Sequence, residues 1–329
     1  MQIYLLLTEK CNLHCAMCIR GSQEGKNLSY DELKKILEVQ SFRNHDIVLT
    51  GGEPSLHKDF VKIIRLMCRN TNKVAITTNG IFNDYLKDIA DLKNQNLMFQ
   101  ISVDGDEICH NKIRGKGTFQ KTMKTVELVA QNSFVYSIAT VVNADNMESM
   151  FELRKIIETL PNLKHWKLSY EMPFGDAAFS NSLQIENWNF FVDRIIANSH
   201  CKLFVKKLFP FDLYDRNMDK LNDLLKSGHR FTNCGSGKNK LYVYPDFNVY
   251  PCTCLKNFCV GNLKIQTLEE ILADEKIRPF SNYKIDSESQ CNDCKYKKFC
   301  NGGCIGMSYH KFKKLGMGDV RCPKLSQSH

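Results

Sequence analysis

The sequence predicts an α/β fold: a partial (β/α)6 barrel, then a connecting segment, then a small cysteine-rich domain. Two observations carry this. From residue 2 to about 170, short β-rich runs alternate with helical patterns, which is the arrangement of parallel βαβ units. Further along, nine of the fifteen cysteines fall between Cys234 and Cys322. The expected boundaries are 1–171 for the barrel, 172–233 for an aromatic- and proline-containing connection, and 234–329 for the cysteine-rich part.

Strands are expected at 2–8, 46–50, 73–77, 97–103, 136–142 and 165–170. Between them helices are expected near 29–40, 58–70, 83–93, 118–131 and 147–160, with two more near 187–199 and 217–227. Ser29 and Glu32 form a capping box ahead of Leu33, Ile36 and Leu37, and Phe60, Ile63, Ile64 and Met67 share one face of the next helix. Right-handed crossovers roll six such units into a partial barrel. In that architecture chemistry gathers on the loops that follow the strands.

The first of those loops is Cys11-Asn-Leu-His-Cys15-Ala-Met17-Cys18. Three thiolates at this spacing can hold three irons of a 4Fe-4S cube and leave the fourth iron open. A zinc site normally brings a fourth Cys or His in short range, and only His14 is near, inside the loop. Later loops carry Gly51-Gly52-Glu53-Pro54, Thr77-Thr-Asn79-Gly80 and Ile101-Ser102-Val-Asp104-Gly105. The glycine pair lets backbone approach a ligand closely, and the Glu53 carboxylate can receive an ammonium group. Each of these segments alone also reads as an ordinary turn or cap.

On these motifs the chain resembles the radical S-adenosylmethionine (SAM) enzymes, with Met17 where an aromatic is commoner before the third cysteine. The resemblance implies a six-strand partial barrel, with Gly51, Gly52, Glu53 and Pro54 at the SAM amino group. It also implies Ser102 and Asp104 near the SAM carboxylate and ribose, Asn79 close by, and Val142 and Asn143 near the adenine. Arg114, in the segment His110 to Phe119, either touches substrate or SAM or forms an ion pair within its loop.

The set Cys291-x2-Cys294-x5-Cys300-x3-Cys304, preceded by Cys234 and Cys252 and closed by Cys322, resembles the SPASM extension of a subset of those enzymes. That resemblance implies up to two auxiliary 4Fe-4S clusters. Cys291, Cys294, Cys300 and Cys322 would hold the distal one, and Cys234, Cys252 and Cys304 the proximal one. Cys254 and Cys259 both lie near Cys252, so either could close the proximal cube or leave it open. A pair of zinc sites is the other reading, but the spacing lacks paired Cys-x2-Cys knuckles. Phe247 stands where the family places Gly; it costs about 1 kcal/mol there, or the left-handed role passes to Asn248.

The chain start lacks a signal peptide, and no apolar stretch approaches the roughly 20 residues of a membrane span, so a cytoplasmic enzyme is expected. The formal charge of +9 counts every cysteine as neutral. Three loaded clusters would lower it by about five units, which weakens a nucleic-acid reading. The expected reaction begins with a 5′-deoxyadenosyl radical that removes a substrate hydrogen, and the auxiliary clusters suit an oxidative outcome. The resemblance points to crosslinking or dehydrogenation of a ribosomally made peptide, with a flavodoxin- or ferredoxin-type reductant as partner. Because the cysteine loop begins at residue 11, no N-terminal leader-binding domain is expected, which favours the alternative of dehydrogenation or epimerisation of a sugar or other small metabolite. A non-catalytic iron–sulfur carrier would leave the Gly51–Pro54 and Ser102–Asp104 motifs without a use. Glu171, Asp176, Asp212 and Asp215 are acid/base candidates.

Overall fold

The computed structural model describes all residues except 22–24, 94–95, 178–180, 232 and 326–329. The six expected strands are β1 (Gln2–Thr8), β2 (Phe42–Gly51), β3 (Thr71–Thr78), β4 (Leu97–Ser102), β5 (Val135–Val142) and β6 (Leu163–Tyr170). Each pairs in parallel with the next. The crossovers are α1 (Tyr30–Val39), α2 (Phe60–Asn70), 3-10 turns at Asp84–Leu92, α3 (Glu107–Arg114) with α4 (Thr118–Gln131), and α5 (Ser149–Ile157). Then α6 (Ile185–Asn198) leads to the short β7 (Leu203–Phe204), which extends the sheet beyond β6 in parallel.

The sheet also continues on the other side of β1. There β8 (Lys240–Val243) pairs with it in parallel, from Gln2 opposite Lys240 to Leu5 opposite Val243. The strands β9 (Asn248–Tyr250) and β10 (Gly261–Asn262) follow antiparallel, so the described order is β10-β9-β8-β1-β2-β3-β4-β5-β6-β7. Strand β6 does not return to β1, and the barrel is therefore partial. The cysteine-rich part is thus hydrogen-bonded into the barrel's own sheet.

Period-two alternation places Ile3, Leu5 and Leu7 of β1 in one apolar core with Ile47, Leu49, Val74, Ile76, Phe99 and Ile101 of its neighbours. The helices cover that face with Ile63, Met67, Ile89 and Val126. At the start of α1 the Ser29 hydroxyl accepts from the Glu32 amide at 3.3 Å, one half of the expected capping box, while the Glu32 carboxylate takes Lys35 Nζ at 3.2 Å.

Three local features differ from expectation. The 83–93 segment is 3-10 rather than α, and along it Arg65 donates to the Asp88 carbonyl at 2.6 Å and clamps the Asp91 carboxylate at 2.7 Å. Helix α3 forms where a loop is expected, started by the Asp106 side chain accepting from Cys109 N at 2.9 Å. A short helix, Phe211–Arg216, precedes the expected one, which spans Met218–Lys226.

In the β8–β9 turn the left-handed role stays on Phe247, at φ +68°. Its ring is completely buried. Burying such a ring is worth about 1.5–3 kcal/mol against about 1–2 kcal/mol for a left-handed backbone, so burial wins. Phe247→Gly should therefore destabilise by roughly 2 kcal/mol, since losing the ring costs about 3–5 kcal/mol and relaxing the backbone returns about 1–2. Urea unfolding measures this, and a glycine variant as stable as the parent would mean that strain dominates.

Candidate active site

Strand β1 delivers the cysteine loop to the end of the sheet where the other barrel strands also finish. Past Thr8 the backbone stays paired with the β2 loop: Gly52 N donates to Thr8 O and Glu53 N to Lys10 O, both at 2.8 Å. A Cβ on Gly51 would lie 2.3 Å from Thr8 O, and one on Gly52 2.2 Å from Lys10 O. The two glycines thus let the β2 loop lie directly against the backbone of the cysteine loop. Within that loop Cys18 N donates to Cys15 O at 3.0 Å, and Met17 is buried.

Glu53 is almost completely buried and caps the 3-10 turn Pro54–Leu56. Its Oε1 accepts from Ser55 N at 3.1 Å, Ser55 Oγ at 2.7 Å and Thr78 Oγ1 at 2.8 Å; its Oε2 accepts from Asn79 N at 2.8 Å. Burial raises its pKa, and these neutral donors oppose that. Asn79 Nδ2 donates in turn to Asn12 Oδ1 at 2.9 Å, inside the cysteine loop. Glu53 and Asn79 therefore tie the loops after β1, β2 and β3 together. Asn12, Ser55 and Thr78 were not singled out from the sequence, where only their neighbours carried a motif.

At the ends of β4 to β6 a second network forms. Asp104 is fully buried, pairs with Arg114 and accepts from Val141 N at 2.8 Å, so Arg114 takes its ion-pair alternative. Ser102 is half-buried at the end of β4, in register with Ala139. Burial pushes the Cys15 thiol up to about 11, with the Arg114 charge working against that rise. Buried Val142 accepts from Glu171 N at 3.0 Å through its carbonyl, and Asn143 Nδ2 donates to Glu171 Oε2 at 2.8 Å. The other oxygen, Glu171 Oε1, is buried without a hydrogen-bond partner among the described residues. Burial raises the Glu171 carboxyl, and Asp145 and Asp104 add to this while Asn143 opposes it. Of the remaining acid/base candidates, Asp212 pairs with Arg216, Asp215 with Lys295, and Asp176 N bonds Cys18 O at 2.9 Å.

The later cysteines fall into two groups. Cys291, Cys294, Cys300 and Cys322 line one small cavity with Phe209 and Phe211, and Gly318 leaves room beside Cys291 Sγ, which a Cβ would approach to 2.7 Å. Elsewhere Cys254 N donates to Cys252 Sγ at 3.4 Å, and the Cys254 thiol also feels Cys304 and Cys234. Their mutual hydrogen bond holds Cys252 down, to about 7, and raises Cys254. Cys259 lies apart, exposed, with its thiol on Gly261 O at 3.4 Å. All fifteen cysteines are free thiols.

Between the two regions opens a cavity of about 530 Å³, walled by Ile19 and Arg20 after Cys18, by Phe174 and Gly175 after β6, and by Cys254. Among the described residues no three His, Cys, Asp or Glu side chains meet tightly enough to chelate a lone ion. The donor sets are instead all thiol, which fits iron–sulfur clusters. The unpartnered Glu171 oxygen fits a ligand carrying hydroxyl or amine donors.

Residues 5–157 match the radical SAM superfamily, and residues 234–295 match the SPASM iron–sulfur cluster-binding domain. The chain carries a radical SAM domain followed by a SPASM domain. Such proteins are enzymes, and their cofactors are SAM and 4Fe-4S clusters. Among its relatives is the antilisterial bacteriocin subtilosin biosynthesis protein AlbA of Bacillus subtilis, 25% identical over 94% of this chain and 68% of that protein. Another is the AdoMet-dependent heme synthase of Methanosarcina barkeri, 24% identical over 92% of this chain and 90% of that protein. Streptococcus suis SuiB bound to SAM shares the fold with a TM-score of 0.78 at 16% identity, over 98% of this chain and 77% of that one. Among the described residues no helix is long and apolar enough to cross a membrane.

Because Glu53 holds four protein donors in this radical SAM barrel, Glu53→Ala should lower the stability of the cofactor-free protein by about 2 kcal/mol or more as well as weaken SAM binding. Thermal unfolding without SAM separates the two effects. An unchanged melting temperature would make Glu53 a ligand group only.

Proposed function

We propose that this enzyme oxidatively modifies a peptide, by crosslinking or dehydrogenation, in the cavity between Cys18 and Cys254. The observation that carries this is that one 530 Å³ space is bordered both by the residues that follow Cys18 and by Cys254 of the proximal thiol group. When bound, the cofactors supply a 5′-deoxyadenosyl radical for hydrogen removal and auxiliary clusters suited to accepting an electron. The protein's part is placement. Cys11, Cys15 and Cys18 hold the SAM-binding cluster on a loop fixed by Gly51, Gly52, Glu53 and Asn79. Asp104 holds Arg114 beside the Cys15 thiol, and Glu171 offers its free oxygen to a SAM hydroxyl or to substrate.

Cys291, Cys294, Cys300 and Cys322 are assigned to the distal cluster, and Cys234, Cys252, Cys254 and Cys304 to the proximal one. The names of relatives support a peptide: AlbA takes part in subtilosin biosynthesis, SkfB of Bacillus subtilis matures the sporulation killing factor, and SuiB has been crystallised with its precursor peptide SuiA. The heme synthase relative keeps a small-molecule substrate as the rival. A flavodoxin- or ferredoxin-type protein is the reductant this chemistry calls for.

Anaerobic turnover with SAM, dithionite and the short peptides encoded beside the gene should yield 5′-deoxyadenosine together with a peptide lighter by two hydrogens. Consumption of a sugar or other small metabolite, with every peptide unchanged, would overturn the peptide reading. For the proximal group, Cys254→Ala should let added cyanide perturb the electron paramagnetic resonance of an auxiliary cluster, whereas Cys259→Ala should not. Perturbation already present in the parent would contradict closure by Cys254.

A further inference from the structure

We propose that the substrate enters the cavity between Cys18 and Cys254 carboxylate first, with Arg20 as the anchor and Lys256 and Lys313 as a cationic rim. This rests on the reading that the cavity is the substrate site, and it names the class of substrate that fits.

Five arginines in the described structure are half-buried rather than exposed: Arg20, Arg65, Arg114, Arg154 and Arg321. Four have a carboxylate: Arg65 pairs with Asp91, Arg114 with Asp104, Arg154 with Glu158, and Arg321 with Asp319. Arg20 has none among the described residues. Burial works against its charge and lowers its pKa, and Tyr244, Cys18, Tyr242 and Cys254 oppose that in part. A guanidinium partly withdrawn from water without a carboxylate partner is costly, and its planar fork matches a carboxylate with two parallel hydrogen bonds.

The rest of the wall has the same sign. The charged residues that line the cavity with Arg20 are Lys256 and Lys313, and no Asp or Glu lines it among the described residues. Lys256 Nζ lies 5.6 Å from the centre of the Tyr244 ring, and Lys313 Nζ donates to His310 O at 3.0 Å. Neither contact pairs a lysine with an acid. Asp176 stands nearby, its Oδ1 3.0 Å from the Cβ position of Gly21, but it is not part of the lining. Apolar Ile19, Phe174 and Leu255 complete the space, and beside them a charged contact is stronger than in water. The carboxylate could belong to an acidic peptide side chain or to a small organic acid.

The test uses holoenzyme reconstituted anaerobically with SAM and two probes: a pool of random decapeptides blocked at both termini, and the dicarboxylates succinate and adipate. Retained peptides should be enriched in Asp and Glu if a peptide is the source. Binding of a dicarboxylate without peptide enrichment identifies a small acid as the source. In either arm Arg20→Gln should weaken retention about tenfold or more with cluster iron unchanged, and Lys256→Gln should weaken it less. Lys226→Gln, on the exposed Met218–Lys226 helix, controls for net charge and should retain the probe as the parent does. Retention of neutral or basic peptides, no retention of either probe, or equal retention by Arg20→Gln would overturn the proposal. So would loss of cluster iron in Arg20→Gln while Lys256→Gln binds as the parent does, because the guanidinium would then serve the cluster. Peptide modification by the parent in the turnover assay with the short peptides encoded beside the gene, repeated with Phe174→Trp to fill the cavity, tests the underlying reading separately.

Discussion

Everything in this molecule is referred to one seven-residue strand. Strand β1 has no free edge: β2 lies on one side and β8 on the other, both parallel to it. The cysteine loop leaves its end, and the cysteine-rich part is stitched to its other flank. Tyr4 and Tyr242, opposite one another across that flank, stack with ring centres 4.6 Å apart. The Cys234 thiol bears on Tyr4, and Cys252 and Cys254 bear on Tyr242. Adjacent strands sit only about 4.8 Å apart, so one hydrogen-bonded ladder sets the spacing between the two regions. A hinge between them would have to break that ladder.

The same economy governs the loops. Gly51 and Gly52 have no room for a side chain because the backbone of Thr8 to Lys10 lies against them, and Glu53 then gathers donors from Ser55, Thr78 and Asn79. Three loops that would each be mobile alone become one rigid rim. Burial favours the neutral form of several thiols: Cys15 beside that rim is pushed up to about 11, and Cys300 and Cys304 of the cysteine-rich part to about 12. Iron reverses this by stabilising the thiolate, so loading these sites releases protons.

The sequence made the barrel strands legible because alternation of apolar residues and turn chemistry are local signals. The cysteine spacings and the Gly51–Pro54 turn were legible for the same reason. Partnership was not. Nothing local to Lys240–Val243 says that it pairs with a strand from the opposite end of the chain, and nothing near Gly51 says that its neighbour is Thr8. Spacing alone could not choose between Cys254 and Cys259, whereas the fold turns one toward Cys234, Cys252 and Cys304 and leaves the other at the surface. Helix α3 was missed because its start rests on the single side chain of Asp106 in a segment otherwise read as loop. Arg20 stood beside the clearest motif in the chain and drew no notice, since an unpaired charge becomes visible only when its surroundings are known.

The central claim is that three separate groups of thiols hold three separate clusters. Iron and sulfide analysis with Mössbauer spectroscopy on anaerobically reconstituted protein addresses it directly, comparing the parent with a variant in which Cys11, Cys15 and Cys18 are all Ala. The account predicts about twelve irons in the parent and about eight in the variant, all in 4Fe-4S form. Zinc in place of iron after anaerobic purification, or a variant that loses all of its iron together, would contradict it.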